Sequence, residues 1–185
     1  MEMTAQRLRT RDIAYIAVFT ALMAVCSWIS IPMPTRIDIT LQTLALFLAT
    51  GVLGGKRGFL TVLAYLLLGL AGVPVFAGFT GGLGALLTPS GGYLVGFLFT
   101  ALMMWAMERL LGDKTWVLGL SMVLGFLVYN VFGTAWFMVA YPMGAEAVSL
   151  WTALVWCVFP YAAFDLIKIA IALGLSSRLR RYVKQ

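Results

Sequence analysis

Two residues of opposite charge, Asp165 and Lys168, stand alone inside the apolar runs of this 185-residue chain. They are three apart, so on a helix they share a face and pair. A full charge within the bilayer costs roughly 2.5–3.5 kcal/mol on insertion scales, which makes such residues functional candidates by default. A carboxylate accepts N–H donors and an ammonium donates to carbonyl oxygens. Together they offer recognition of a polar ligand, against the alternative of an ion pair that only locks its helix. Catalysis fits less well. The chain has no histidine, and a single buried carboxylate without nucleophile–base spacing does not make an enzyme. Cys26 and Cys157 lie in separate apolar runs without CxxC spacing, so neither a disulfide framework nor a metal site is expected. The run GVLGGKR, Gly51 to Arg57, is one residue short of a phosphate loop and places Arg where Ser or Thr would hold magnesium. No metal and no cofactor are expected.

The stretch most suited to close over such a site is Gly72 to Gly92. It holds seven of the 19 glycines, two of the six prolines and no charge. Four glycines between residues 78 and 84 weaken any helix, and Pro74 and Pro89 each remove an amide donor. Yet Val73, Val75, Phe76, Phe79 and Leu83 are too apolar for a solvated linker. Irregular backbone at membrane depth is tolerated where it packs in protein or lines a cavity. A loop folded over a pocket is therefore expected, with glycine amides able to approach a ligand.

The elements that position these residues are membrane spans. The chain is 62% hydrophobic and 11% charged, with mean hydropathy +0.98, which puts it in the integral membrane class as a single domain over 1–185. The first span runs from Ile13 to Ile31 without a signal-cleavage site. Its alanines Ala14, Ala17, Ala21 and Ala24 stack along one face, and small stripes let membrane helices approach closely. A turn over Pro32–Asp38 follows, then a short second span from Leu41 to Leu53 that opens on Thr40, Gln42 and Thr43. Residues 54–58 read as a basic hairpin into a third span ending near Ala71. The fourth covers Tyr93–Arg109. The fifth, Trp116–Ala140, carries the buried amide Asn130, read as an interhelical hydrogen bond, and is broken by Tyr141–Gly144. Pro160 divides the last apolar run into a short helix over 148–158 and a sixth span over 160–176, since proline favours a helix's first turn. The six tryptophans read mostly as interfacial anchors.

The formal charge is +6 and the pI near 9.6, but the basic residues flank apolar runs, as lipid headgroups rather than nucleic acid would require. With the N-terminus inside, Arg7, Arg9, Arg11, Lys56, Arg57, Arg109, Lys114, Arg178, Arg180, Arg181 and Lys184 all fall inside and Arg36 alone falls outside. The expectation is an all-α membrane protein of six transmembrane helices, both termini cytoplasmic, with an extracellular glycine-rich loop between helices 3 and 4. Gln42, Thr80, Ser90, Asp165 and Lys168 then share the external third of the bundle.

Three motifs in order, LQTL at Leu41–Leu44, GVPVFAGFTGGLGALLTPSGGYLVGF from Gly72 and FPYAAFDLIK at Phe159–Lys168, resemble the BioY family of biotin-binding S-components of energy-coupling-factor (ECF) vitamin transporters. The similarity covers nearly the whole chain. It implies capture of biotin from outside a bacterial or archaeal cell, together with a transmembrane coupling subunit and two cytoplasmic ATPases, the coupling subunit docking on the small-residue face of helix 1. It carries Asp165 and Lys168 over as ligand contacts. Gly78 stands where other members have Asn, so only backbone contact is implied there. Biotin's ureido ring has two N–H donors and a carbonyl, which suit the carboxylate and the ammonium. Phe76, Phe79, Tyr93 and Tyr161 are candidate walls for its apolar part, with Gln42, Gly78 and Thr80 completing the candidate set. The alternatives are another vitamin, a membrane-embedded enzyme using Asp165, or a structural subunit.

Overall fold

The computed structural model describes residues 9–34, 37–141 and 149–183. Arg7, Arg36, Lys184 and the break at Pro142–Gly144 lie outside them.

The bundle is built around its shortest long helix. α2 (Gln42–Leu53) is apolar on every side, and ten of its 12 residues are buried, as expected of a helix wrapped by others. Around it pack α1 (Thr10–Trp28), α3 (Gly55–Leu70), α5 (Gly91–Leu111) and α8 (Phe159–Val183). α6 (Thr115–Ala140) lies along α5 in the most extensive helix contact of the molecule. That contact is close because Gly96 has no side chain: a Cβ there would sit 2.8 Å from the Tyr129 Cα. Phe47, Tyr65, Met122, Tyr129 and Phe137 are among the largest fully buried side chains. Large apolar residues such as Val18, Leu127, Val131 and Ile167 point outward, the pattern of a protein whose solvent is lipid.

α1, α5, α6 and α8 are long and apolar enough to cross a membrane. The second and third predicted spans are shorter: α2 has 12 residues and α3 has 16. At 1.5 Å per residue they reach only about 18 and 24 Å, against a hydrocarbon core of roughly 30 Å. The predicted hairpin at 54–58 shrinks to the single residue Gly54. Lys56, Arg57 and Gly58 instead form the first turn of α3, because the Gly55 N–H donates to the Glu108 carboxylate of α5 and so anchors the helix start. Two short antiparallel strands, β1 (Ser30–Ile31) and β2 (Ile39–Thr40), flank the predicted Pro32–Asp38 turn, of which residues 35 and 36 lie outside those described. Pro160 falls in the first turn of α8, as expected, behind the short α7 (Leu150–Cys157). The predicted sixth span extends further than 176, to Val183.

The loop between α3 and α5 has structure of its own. A 3-10 turn covers Ala77–Phe79, closed by the Phe76 N–H donating to the Thr80 carbonyl at 3.0 Å, and a one-turn helix, α4, covers Gly84–Leu87. Phe76 is 2% exposed and inserts against Gly69 and the edge of Tyr65. At the opposite end of α2 and α8, Arg180 donates to the Gly51 carbonyl and pairs with Asp113, tying α8 to the end of α2 and the α5–α6 turn.

Candidate ligand-binding site

The short α2 starts where the neighbouring helices continue, and a cavity of about 360 Å³ opens there beneath the glycine-rich loop. That volume is at the lower end of the range for small-molecule sites. Its polar side is made by α2 and α8. The Asp165 carboxylate accepts from Lys168 Nζ at 2.8 Å and Thr43 Oγ1 at 3.0 Å on one oxygen, and from the Tyr129 hydroxyl at 2.7 Å on the other. Lys168 Nζ also donates to the Thr40 carbonyl at 2.7 Å and to Thr43 Oγ1 at 3.1 Å. Asp165 is 5% exposed and Lys168 8%, so both charges are desolvated and balanced within the protein.

Counting donors and acceptors decides what each group can still do. An ammonium has three protons, and all three of Lys168 are directed at protein oxygens. A carboxylate accepts about four hydrogen bonds, and three places on Asp165 are taken. One acceptor place remains, on the oxygen that faces Tyr129. Lys168 therefore serves first to hold Asp165 and the start of α2, and a ligand carbonyl would have to displace one of its present acceptors.

A second polar line starts at Gln42. Its Nε2 donates to the Tyr65 hydroxyl at 2.8 Å, which donates to the Val75 carbonyl at 2.9 Å; Ser27 Oγ reaches the same carbonyl at 2.6 Å. This fixes the Gln42 amide so that its carbonyl oxygen remains an acceptor beside the cavity. The apolar wall comes from Phe76, Tyr93, Leu94 and Phe97. Tyr93 is fixed by its hydroxyl, which donates to the Cys157 carbonyl at 3.2 Å, and Tyr161 by a 2.5 Å bond to the Ile37 carbonyl. On the loop side, Thr88 and Ser90 place two hydroxyls 3.1 Å apart. Cys26 and Cys157 are both free and buried.

A sequence model of the BioY family matches residues 2–185. The chain belongs to the BioY family. It is 36% identical over 176 residues to the biotin transporter BioY of Thermotoga maritima, covering 92% of this chain and 96% of that one. It is 34% identical over 173 residues to the probable biotin transporter BioY of Pyrococcus horikoshii, covering 94% and 98%. The fold superposes on the crystal structure of the S-component for biotin from an ECF-type ABC transporter with a TM-score of 0.82 at 28% identity, covering 97% of this chain and 95% of that one.

Of the residues singled out in this BioY-family sequence, Gln42, Phe76, Thr80, Tyr93, Tyr161, Asp165 and Lys168 all line this cavity. Gly78 and Phe79 do not. The 3-10 turn directs them outward, and Phe79, 64% exposed, stacks on Trp28 instead of walling the pocket. Asn130 also departs from expectation: its Nδ2 donates to the Phe126 carbonyl of its own helix, and the residue lines the cavity. Two tryptophans do more than mark an interface, since the Trp28 and Trp136 indoles donate to the loop carbonyls of Pro74 and Thr88. The alanine stripe divides: Ala14, Ala17 and Ala21 are exposed, while Ala24 is buried. Thr43 and Tyr129 were missed as site residues. Thr43 was within reach, lying one residue from Gln42 at the polar start of α2. Tyr129 carries no signal of its own until Asp165 is placed on the facing helix.

Proposed function

We propose that this chain is the biotin-capturing S-component of an ECF-type transporter, a transport subunit rather than an enzyme. The observation that carries the reading is the family match across nearly the whole chain, joined to a cavity whose polar groups suit biotin. One ureido N–H fits the open acceptor place on Asp165, and Gln42 supplies another acceptor. Tyr93, Phe76 and Phe97 take the bicycle and the aliphatic tail. The tail carboxylate lies toward Thr88, Ser90 and the loop amides. Thr80 and Tyr161 close the rim, and any contact from Gly78 is through its backbone.

In this reading α2 and α3 complete six spans, both made short by the polar site and the loop that cap them. Both termini are cytoplasmic, supported by the basic residues that flank the spans on that side, and the cavity opens outward. ATP hydrolysis belongs to two cytoplasmic ATPases joined through a transmembrane coupling subunit, and the exposed face of Ala14, Ala17 and Ala21 is its docking surface. Ala24, being buried, is not part of it. No cofactor or metal enters; biotin is cargo.

The test is to purify the chain from cells grown with biotin, identify the co-purifying small molecule by mass spectrometry, and titrate biotin into the emptied protein. Absence of biotin from the preparation together with no binding in the titration refutes the proposal.

A further inference from the structure

The turn that roofs the cavity is gripped at one place by the end of α1. Ser27 Oγ donates to the Val75 carbonyl at 2.6 Å, and Trp28 Nε1 donates to the Pro74 carbonyl at 2.9 Å. The Trp28 indole then stacks on the Phe79 ring, with centroids 5.0 Å apart and planes within 22°. Phe79 is the one non-glycine residue with positive φ among those described, at +57°, a conformation that bulky side chains avoid. Its strain is not repaid by burial, because the ring is 64% exposed. The residues at the two ends of the turn behave differently: Phe76 is buried under it, and Thr80 lines the cavity. The remaining partner of the Phe79 ring is Trp28, itself 37% exposed.

We propose that Trp28 and Phe79 form a latch that holds the Phe76–Thr80 turn closed over the cavity, so that their separation admits and releases the ligand. The inference rests on reading the cavity as the biotin site. A latch acts on the closed state whether or not ligand is inside. Weakening it therefore speeds association and dissociation together and moves the equilibrium affinity less than either rate. A stacked aromatic pair predicts a roughly two- to tenfold change in each rate. A ring that instead walled the ligand would change dissociation alone.

The test uses the full chain in detergent. Association and dissociation of labelled biotin are followed in wild type, Phe79→Asn, Trp28→Leu and Phe79→Tyr. Asparagine tolerates positive φ and removes the ring without a new strain, so Phe79→Asn stays informative if Trp28→Leu folds poorly. Both rates rise in Phe79→Asn, and Phe79→Tyr, which keeps the stack, matches wild type. Without biotin, hydrogen exchange at the Phe76 and Gly82 amides, bonded to the Thr80 and Gly69 carbonyls at 3.0 and 2.7 Å, accelerates in Phe79→Asn. Faster dissociation with unchanged association overturns the latch, as does unchanged amide exchange. Wild type that fails to bind biotin refutes the ligand reading instead, and the amide exchange then decides the latch on its own.

Discussion

Replacing Asp165 by Asn changes one atom and one charge, and the structure fixes what each change does. The side chain keeps one acceptor oxygen, which can stay with Lys168 and Thr43. The new NH2 group then faces the Tyr129 hydroxyl, 2.7 Å away in wild type. That hydroxyl can turn and accept, so the network survives in form. Lys168, 8% exposed, keeps its charge and loses its counterion at 2.8 Å. Breaking a buried pair costs about 3–5 kcal/mol of stability. Affinity falls for a separate reason: the acceptor place open to a ligand N–H becomes a donor. A hydrogen bond to a charged group contributes about 1.5–3 kcal/mol, which at 1.4 kcal/mol per decade is roughly a ten- to hundredfold loss. Calorimetric titration of biotin into folded, monodisperse Asp165→Asn and Lys168→Ala protein measures this. A merely structural pair predicts variants that are less stable and still bind normally. Wild-type affinity in both variants would refute the ligand role.

Four further outcomes follow from the same geometry. Tyr129→Phe removes one of the three donors to Asp165 and leaves the fold intact; losing a net hydrogen bond of about 1 kcal/mol lowers biotin affinity roughly fivefold, and an unchanged titration would exclude Tyr129 from orienting the carboxylate. Gly81→Val and Gly82→Val both weaken binding, the first because a Cβ at Gly81 would sit 2.5 Å from the Val73 carbonyl oxygen and the second because Gly82 has φ +84°; unchanged dissociation constants would remove the loop from the site. Ala17→Trp and Ala21→Trp, on the exposed face of α1, leave biotin binding intact and abolish co-purification with a coupling subunit, whereas joint loss of folding and binding would make the stripe internal packing. Cys157 is 1% exposed, so in a Cys26→Ser background maleimide at pH 7 labels the unfolded protein and not the folded one; labelling of the folded protein at pH 7 would contradict the packing around α7.

Local chemistry made some of this legible in the sequence. Pro160 marks the start of α8 because proline is suited to a helix's first turn, and the Asp165–Lys168 spacing puts both on one face. The roughly correct run of helices came from the apolar segments alone. What escaped depends on tertiary partners. Gly54–Gly58 reads as a hairpin because glycine weakens helices, yet the Glu108 carboxylate supplies the missing acceptor for the Gly55 N–H and α3 begins at once. Phe79 and Phe76 are equivalent in sequence, and only the positive φ at Phe79 sends one ring outward and leaves the other buried. Tyr129 looks like core until α8 brings a carboxylate to its hydroxyl. Ala24 shares a helix face with Ala14, Ala17 and Ala21, but the bundle covers α1 unevenly along its length.

The length of α2 explains why the site lies where it does. A helix of 12 residues reaches about 18 Å, about 12 Å less than a hydrocarbon core, and its first turn ends buried inside the bundle. There the positive end of its dipole stabilises an anion beside it. Asp165 occupies that position: it accepts from Thr43 in the first turn of α2. Its charge would be too costly alone, and Lys168 one turn further along α8 offsets it while donating back to the Thr40 carbonyl just before the helix. The polar groups thus satisfy one another, with a single acceptor place left over. Above them the space that a full-length α2 would have filled is the cavity, and the apolar, glycine-rich loop covers it because a charged or solvated loop could not pack there. A short helix, a balanced charge pair and an apolar roof are therefore one structural solution: each makes the others affordable in a membrane.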